Sequence, residues 1–273
     1  MVTSTVGETL RFTLARHVTQ NVPIVSTCIP VSQEPLPPES SMFPFLVFRS
    51  ENYYVHGRPS AGFLSYASTN ETVLKYGKEA LEKAGGIPLI APVNATDPFV
   101  YIYELLENLV EMGFSGVQNY PSVGILEGNV RKNLEASGMG FDSEVRLITD
   151  AKKNNGLFTI AYVFNKEQAI QMVDAQADII ILHLGITTTE FKRANPKKTL
   201  ASLSNRISDM VSVITKKNNT IPILLHGGPL TTFSDLEPVF KKVSGLAGYC
   251  GTGLLDGDMS RITIHDLSKL FIA

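Results

Sequence analysis

The chain has 273 residues, of which 44 % are hydrophobic and 18 % are charged. The apolar content excludes a disordered protein, and 24 basic against 26 acidic residues give a formal charge of −2, which offers nothing to nucleic acid or an anionic membrane. Met1–Gln20 carries Glu8, Arg11 and Arg16 in place of an apolar segment, and no stretch approaches the ~20 apolar residues of a membrane helix. We therefore expect a cytoplasmic protein that binds neither nucleic acid nor membrane.

Short runs rich in β-branched and aromatic residues recur along the chain and predict strands. Because these runs are almost continuously apolar, they are typical of parallel strands that are buried on both faces. The predicted strands are Val22–Cys28, Phe45–Arg49, Ile87–Val93, Ser115–Tyr120, Phe158–Val163, Asp178–Leu184, Ile221–His226 and Leu246–Gly251.

Helical periodicity fills most of the intervals between these strands. The clearest pattern is Pro98–Met112, where apolar residues share one stripe and Asp97 is predicted to be the N-cap. Asn165 and Ser234 occupy further predicted cap positions. The other predicted helices are Thr72–Ala84, Glu144–Asn154, Lys166–Ala175, Leu200–Lys217, Asp235–Val243 and Ile262–Leu270.

Eight strand–helix units of roughly 30 residues each follow one another with no long linker between them. This α/β succession favours one domain over residues 1–273, a (β/α)8 or TIM barrel, over an open doubly wound sheet. Two segments exceed an ordinary βα loop: Pro30–Pro44 after strand one and Pro121–Gly138 after strand four. Such loops form lids or interface arms, and with the low surface charge they favour a homo-oligomer.

In such a barrel the active site lies at the carboxyl ends of the strands. Strand six ends with His183 and strand seven with His226, on neighbouring strands ~4.8 Å apart. An imidazole with a pKa of ~6.5 suits proton transfer near neutral pH, so both histidines are candidate catalytic groups. A pair of metal ligands is a second interpretation, and rings hydrogen-bonded to backbone in a structural role are a third.

Glycine-rich turns follow the last two strands, at Gly227-Gly228 and at Gly251-Thr252-Gly253. Loops in these positions of a TIM barrel often bind phosphate through backbone N–H groups, although tight turns need glycine in any case. Neither turn is a nucleotide-binding motif. The turns therefore predict an anion site and no nucleotide cofactor.

Evidence for a metal is limited to a few acidic residues near the predicted mouth. Because Mg²⁺ needs few protein ligands, one carboxylate with substrate oxygens would be enough, and Mg²⁺ is an open option with no ligand assigned. Cys28 and Cys250 have no C-x-x-C partner and are interpreted as reduced packing residues. The acidic residues are Asp97, interpreted as a cap, Glu144, interpreted as part of a helix face, Glu127 and Asp142.

Short motifs follow one another in order over about residues 85–250, with a looser match over 55–75 through His56-Gly57-Arg58. They are Thr96–Phe99, Gly113–Asn129, Ser137–Gly140, Tyr162–Asn165, His183–Thr188 and His226–Pro229. Together they resemble the phosphoenolpyruvate hydrolase-like TIM-barrel family, which is also similar to the C-terminal domain of a plant antiviral resistance protein. The resemblance implies a TIM barrel and an acid like phosphoenolpyruvate or phosphonopyruvate as its ligand.

The sequence departs from this family after the first two strands. Ser26–Pro30 stands where members have a glycine-rich turn, and Arg49–Asn52 stands where they have Asn-Ser-Gly-Arg. If the glycines of strand one approach the ligand in the family, this chain binds another ligand or has lost turnover.

Two functions from different classes follow. The first is a hydrolase or lyase that binds a small phosphorylated or carboxylated acid and cleaves a C–C, C–P or P–O bond, with His226 or His183 transferring the proton. The second is a non-catalytic barrel that senses a ligand or binds a protein partner. Arg58 would clamp the carboxylate or phosphate of the acid. The predicted substrate-binding residues are Arg58, Asn94, Gln118, Asn119, Tyr162, Asn165, Gly227, Gly228, Gly251 and Thr252.

Overall fold

The computed structural model describes residues 4–20, 22–30, 43–49, 67–185, 196–228, 230 and 233–251. Within these ranges eight parallel strands pair in chain order, and the last pairs with the first, so that the sheet closes into the predicted TIM barrel. The strands are β1 (Ile24–Pro30), β2 (Leu46–Arg49), β3 (Leu89–Val93), β4 (Gly116–Asn119), β5 (Phe158–Val163), β6 (Ile179–His183), β7 (Ile223–His226) and β8 (Gly248–Gly251).

Helices alternate with the strands around the barrel. None of the helices in the described ranges combines the length and the apolar character that crossing a membrane requires. The predicted helix Ile262–Leu270 lies outside the described residues. The helices are α1 (Ser4–Thr19), α2 (Thr69–Ala84), α3 (Ile102–Met112), α4 (Gly128–Ala136), α5 (Phe141–Lys153), α6 (Lys166–Asp174), α7 (Pro196–Lys217) and α8 (Phe233–Lys242).

Two of the three predicted N-caps are wrong. Asp97 does not cap α3, which begins later than predicted, with Tyr101 in its N-cap position. Its carboxylate instead accepts hydrogen bonds from Phe99 N, at 3.0 Å, and from the side-chain amide of Asn70, at 3.0 Å, and so closes a turn after β3. Ser234 lies inside the first turn of α8, which begins at Phe233.

The third predicted cap is confirmed. The side chain of Asn165 accepts a hydrogen bond from Gln168 N at 2.9 Å and begins α6. This bond satisfies one of the N–H groups that every helix leaves without an intrahelical partner at its first turn.

The long segment after β4 is folded. Ser122 begins a 3₁₀ turn over Val123–Ile125, and α4 follows it. Most of the other long segment, Pro30–Pro44, lies outside the described residues. The expectation that these segments are arms of a homo-oligomer stays a prediction.

The lumen of the barrel is apolar except at the carboxyl ends of the strands. Alternate residues of each strand face the lumen, because successive side chains of a strand point to opposite faces. The residues between them pack outward against the helices. Cys28, Tyr162 and Cys250 join the lumen cluster toward the carboxyl ends, and its other strand residues are Ile24, Phe45, Val47, Ile90, Phe158, Ile160, Ile179, Ile181 and Leu224.

The helix α1, which the sequence analysis did not predict, packs at the amino-terminal end of the barrel. Leu10 and Leu14 are buried in the lumen cluster. Arg11 donates to both carboxylate oxygens of Asp178, at 3.0 Å each, and to Leu157 O at 2.6 Å. Lys152 also donates to Asp178, at 2.7 Å, so one carboxylate connects α1, α5 and the start of β6.

Replacing this carboxylate should loosen α1 and lower the stability of the barrel. D178N keeps the size of the side chain but removes the charge that Arg11 and Lys152 share, so we expect the free energy of unfolding to fall by about 2 kcal/mol. Urea denaturation measures the change. The matched control is D209N, because Asp209 pairs with Lys166 in an ion pair whose side chains are 61 % and 48 % exposed, and its loss should cost under about 1 kcal/mol. Equal losses in the two variants would contradict this account.

Candidate functional site

The two predicted catalytic histidines lie side by side at the carboxyl-terminal mouth of the barrel. His183 and His226 are register partners on β6 and β7, and their ring centroids are 5.1 Å apart. Both residues are buried: His183 is 1 % exposed and His226 is 8 % exposed. The strand ends that the sequence singled out therefore bring two imidazoles into one water-poor space.

Hydrogen bonds engage Nδ1 of both rings. Gly185 N donates to His183 Nδ1 at 3.1 Å, so the neutral ring of His183 carries its proton on Nε2. The Tyr162 hydroxyl is hydrogen-bonded to His226 Nδ1 at 2.8 Å, and burial raises the pKa of Tyr162 well above its ordinary value, so the phenol stays protonated.

Both rings are neutral at pH 7. Burial lowers the pKa of His226 to about 4. Burial also lowers the pKa of His183 well below its ordinary value, and the charges of His226 and Arg206 lower it further. The expectation of an imidazole that titrates near neutral pH in this environment is therefore wrong, since the apolar surroundings disfavour the charged form.

A thiol completes the hydrogen-bonded chain behind His226. Burial raises the pKa of Cys250 to about 12, although hydrogen bonds with Tyr162 and Ser26 lower it. The protonated thiol therefore acts as a small packing group beside the phenol and is not a nucleophile. Cys28 is also buried and forms no disulfide within the described part of the chain, in keeping with the interpretation of both residues as packing groups.

Two further polar residues face the mouth by strand alternation. Gln118 shares the lumen-facing side of β4 with Tyr120, whose ring packs on Tyr162 at 5.9 Å. Gln118 is 2 % exposed, and its Oε1 has no hydrogen-bond partner among the described residues. Arg49, which was not assigned a binding role from the sequence, shares a face of β2 with Val47 and is 6 % exposed. The mouth thus holds an amide acceptor and a buried positive charge.

Three asparagines that were predicted to bind substrate make structural hydrogen bonds. Asn119 is fully buried, and both donors of its amide are used, one by the carboxylate of Glu144 at 2.5 Å and one by Tyr162 O at 3.1 Å. Asn94 accepts from Thr96 N and from Thr96 Oγ1, at 3.2 and 3.1 Å, and shapes the turn after β3. The oxygen of Asn165 caps α6. These oxygens and donors are committed to the protein's own backbone and side chains.

The glycines after β7 make space for a histidine. Gly227 and Gly228 have φ values of 72° and 66°, and a Cβ on Gly227 would lie 2.6 Å from His183 Nε2. Gly228 N donates to Gly185 O at 2.9 Å, so this N–H does not face an anion as the sequence predicted. Gly251 is the last residue of β8 and pairs with Thr27. The predicted contacts of Arg58 and Thr252 lie outside the described residues.

The described residues assign no ligand to the Mg²⁺ that the sequence analysis left open. Among them, no three His, Cys, Asp or Glu side chains come together in a group that could hold a metal ion. Asp97 and Glu144, two of the candidate carboxylates, are engaged by Asn70 and Asn119. We therefore derive no chemical step through Mg²⁺.

Glu144 is a residue of the site that the sequence analysis misjudged. It was interpreted as part of a helix face, yet it is 1 % exposed and its carboxylate lies against the end of β4. The signal that reveals it is its place in α5, because it shares the buried stripe with Phe141, Leu147 and Ile148. A carboxyl group on an apolar stripe is buried, and it must find hydrogen-bond donors there.

Comparisons with known proteins agree with the motifs. Two relatives from Solanum lycopersicum, the ToMV resistance protein Tm-1(GCR237) and the ToMV susceptible protein tm-1(GCR26), are each 35 % identical over 215 residues. The matched region is 77 % of this chain and 28 % of each relative, so the chain spans little more than a quarter of their length. Among solved structures, FabK from Thermotoga maritima has a TM-score of 0.46 at 14 % identity, covering 86 % of this chain and 60 % of that one.

A match to a protein-family model shows which family the chain belongs to. The model described as phosphoenolpyruvate hydrolase-like matches residues 41–270, which include all but the first of the barrel strands. The matched range contains the histidine pair and the residues that hold it in place. The chain therefore belongs to the phosphoenolpyruvate hydrolase-like family.

Proposed function

We propose that this protein is an enzyme that binds a small acid carrying a phosphate or a carboxylate at the mouth of the barrel. The reaction is hydrolysis or the cleavage of a C–C, C–P or P–O bond. The observation that carries the proposal is the buried group of His183, His226 and Tyr162 at one end of an otherwise apolar lumen. Burying polar side chains costs free energy, and a barrel that served only as a scaffold would gain nothing from it.

The charge and the donors of the mouth support an anionic ligand. Arg49 brings a buried guanidinium, which keeps its positive charge at physiological pH and suits the planar oxygens of a carboxylate or phosphate. The unpartnered Oε1 of Gln118 accepts from a hydroxyl group of the ligand or from a water molecule that attacks it. The family's description adds a phosphoenolpyruvate-like acid, which carries both anionic groups.

The histidines act first as neutral donors. His183 carries its proton on Nε2, and a hydrogen-bond donor in a water-poor site stabilises negative charge that develops on an oxygen. An anion beside His226 also raises its pKa, because an opposite charge favours the imidazolium. In this proposal His226 takes up a proton when the acid binds and then transfers it to the leaving group.

Binding should therefore be linked to proton uptake. His226, with a pKa of about 4, is neutral before the anion binds and is charged in the complex, so the affinity should rise as the pH falls from 8 to 5. One linked proton gives at most about tenfold per pH unit. Calorimetric titration with sulfate and pyruvate, whose charges are constant over this range, in two buffers of different ionisation enthalpy measures the uptake, with and without Mg²⁺.

The matched variant for this titration is H226N. An asparagine amide reaches the position of Nδ1 and keeps a partner for Tyr162, but it does not ionise. Proton uptake should disappear in H226N while binding persists. A pH-independent affinity in the wild type, or the same uptake in H226N, would be evidence against His226 as the linked group.

Turnover tests the catalytic part of the proposal. The wild type should release pyruvate or phosphate from phosphoenolpyruvate or phosphonopyruvate, and H226N should lower kcat by about 10²–10⁴-fold, the usual contribution of a proton-transfer group. The control is D209N, which removes the exposed ion pair with Lys166 and should leave kcat unchanged. If the wild type binds these acids without turning them over, the proposal of an enzyme is wrong and a ligand-sensing barrel is favoured.

A further inference from the structure

A buried carboxylate behind the mouth is not explained by ligand binding. Glu144 is 1 % exposed, and its carboxylate accepts hydrogen bonds from Asn119 Nδ2 at 2.5 Å, Ser122 Oγ at 2.7 Å and Val123 N at 2.8 Å. Placing an ionisable carboxyl where water does not reach it is costly unless it is well hydrogen-bonded. The three donors all belong to the end of β4 and the turn after it.

The first chain of contacts leads from Glu144 to Tyr162. Tyr162 N donates to Asn119 Oδ1 at 2.7 Å, and Asn119 Nδ2 donates to Tyr162 O at 3.1 Å. The β4–β5 pairing ends at Gln118 and Ile160, so the amide of Asn119 stands in for the next peptide group of the ladder. Because Nδ2 also donates to Glu144, the carboxylate fixes which end of the amide faces Tyr162 N.

The second chain of contacts leads to Phe164. Ser122 Oγ accepts from Gly124 N at 3.0 Å, and Gly124 O accepts from Gln168 Nε2 at 3.1 Å. Gln168 Oε1 in turn accepts from Phe164 N at 2.8 Å. Both chains therefore start at Glu144 and end on the backbone at the carboxyl end of β5.

The side chains at these two backbone positions flank the histidines. The ring of Tyr162 lies 5.4 Å from that of His226, and its hydroxyl is hydrogen-bonded to His226 Nδ1. The ring of Phe164 lies 5.2 Å from that of His183. A displacement of the backbone at Tyr162 or Phe164 would be transmitted to both imidazoles.

We propose that Glu144 is a positioning residue for the histidine pair, and that its ionised carboxylate, acting through Asn119 and Ser122, sets how the Tyr162 hydroxyl meets His226. A protonated carboxyl accepts hydrogen bonds more weakly than a carboxylate and carries a proton that itself needs an acceptor, so protonation weakens the hold of Glu144 on its three donors. The arrangement of the pair thus depends on the charge of a residue that touches neither ring. Only the activity part of the test below rests on the proposed function.

The surroundings of Glu144 shift its pKa to near neutral pH, where a change in its charge can be followed in the folded protein. Burial raises its pKa to about 7, while the hydrogen bonds from Ser122, Asn119 and Val123 N and the charge of Arg131 lower it. Arg131, on α4, is the charged group that bears on it among the described residues, and the guanidinium also pairs with Glu135 and donates to Val123 O. The β5 and α6 residues connected to Glu144, Tyr162 and Gln168, are neutral and reach it only through Asn119 and through Gly124 and Ser122. We expect the two chains of hydrogen bonds that start at Glu144 to be intact above about pH 7 and weaker below it.

The first test uses the protein without any substrate. The ring nitrogens of ¹⁵N-labelled histidine report hydrogen bonding and protonation separately. Between pH 5.5 and 8.5, a window of roughly 1.5 units on each side of that pKa, His226 should remain neutral while its Nδ1 signal shifts with a midpoint of about 7. The absence of such a midpoint in the wild type overturns the proposal.

Two variants and one control assign that midpoint. In E144Q the midpoint should disappear, whereas in D142N, which makes the same carboxyl-to-amide change two residues away on the exposed side of α5, it should remain. S122A removes one stabilising hydrogen bond from the carboxylate and should move the midpoint upward by about one pH unit. A midpoint that survives in E144Q overturns the proposal, and if E144Q does not fold, an unchanged midpoint in S122A does so.

Activity supplies the second readout. E144Q should lower kcat by about tenfold to a hundredfold with KM nearly unchanged, and should lose the limb of the kcat–pH profile near pH 7, because a misplaced catalytic group slows the reaction more than it weakens binding. An unchanged kcat in E144Q overturns a positioning role in catalysis. If the wild type shows the spectroscopic midpoint but no turnover, the proposed function fails while the control of His226 by Glu144 stands.

Discussion

The mouth of this barrel is governed by the requirement that buried polar groups satisfy one another. Asn119, Tyr162 and Glu144 are buried at this end of the barrel, and they find hydrogen-bond partners within the protein. Tyr162 is hydrogen-bonded to His226, Asn119 to Tyr162, and Glu144 to Asn119. The positions of the histidines are therefore the outcome of a network that begins on a helix outside the barrel.

Much of the fold follows from local patterns in the sequence. The continuous apolar runs predict parallel strands that are covered on both sides, and the recurrence of strand and helix predicts a closed barrel. Two helices escaped this reasoning for a physical reason. The helix α4 buries none of its residues, so no apolar stripe marks it, and α1 packs against the end of the barrel through a short set of residues that includes Leu10, Leu14 and Arg11.

The site was predictable in its position more than in its chemistry. Strand ends identify His183 and His226 because their placement depends only on topology. Their ionisation depends on burial, and the role of Asn119 depends on a carboxylate 25 residues further along the chain. Neither burial of this kind nor such a long-range contact produces a pattern in the neighbouring residues of the sequence. The polar residue on the apolar stripe of α5 is the exception, since periodicity alone places Glu144 inside.

Neutral histidines impose an order on the chemistry of an anionic ligand. Two charged imidazoles 5.1 Å apart in an apolar lumen would repel each other and lose their hydration, so the protein keeps them neutral at pH 7. In the proposed reaction an anion changes this balance, because its charge favours the imidazolium. The site then binds the acid before it gains the proton that it transfers, and the reactive ionisation state exists only with the ligand in place.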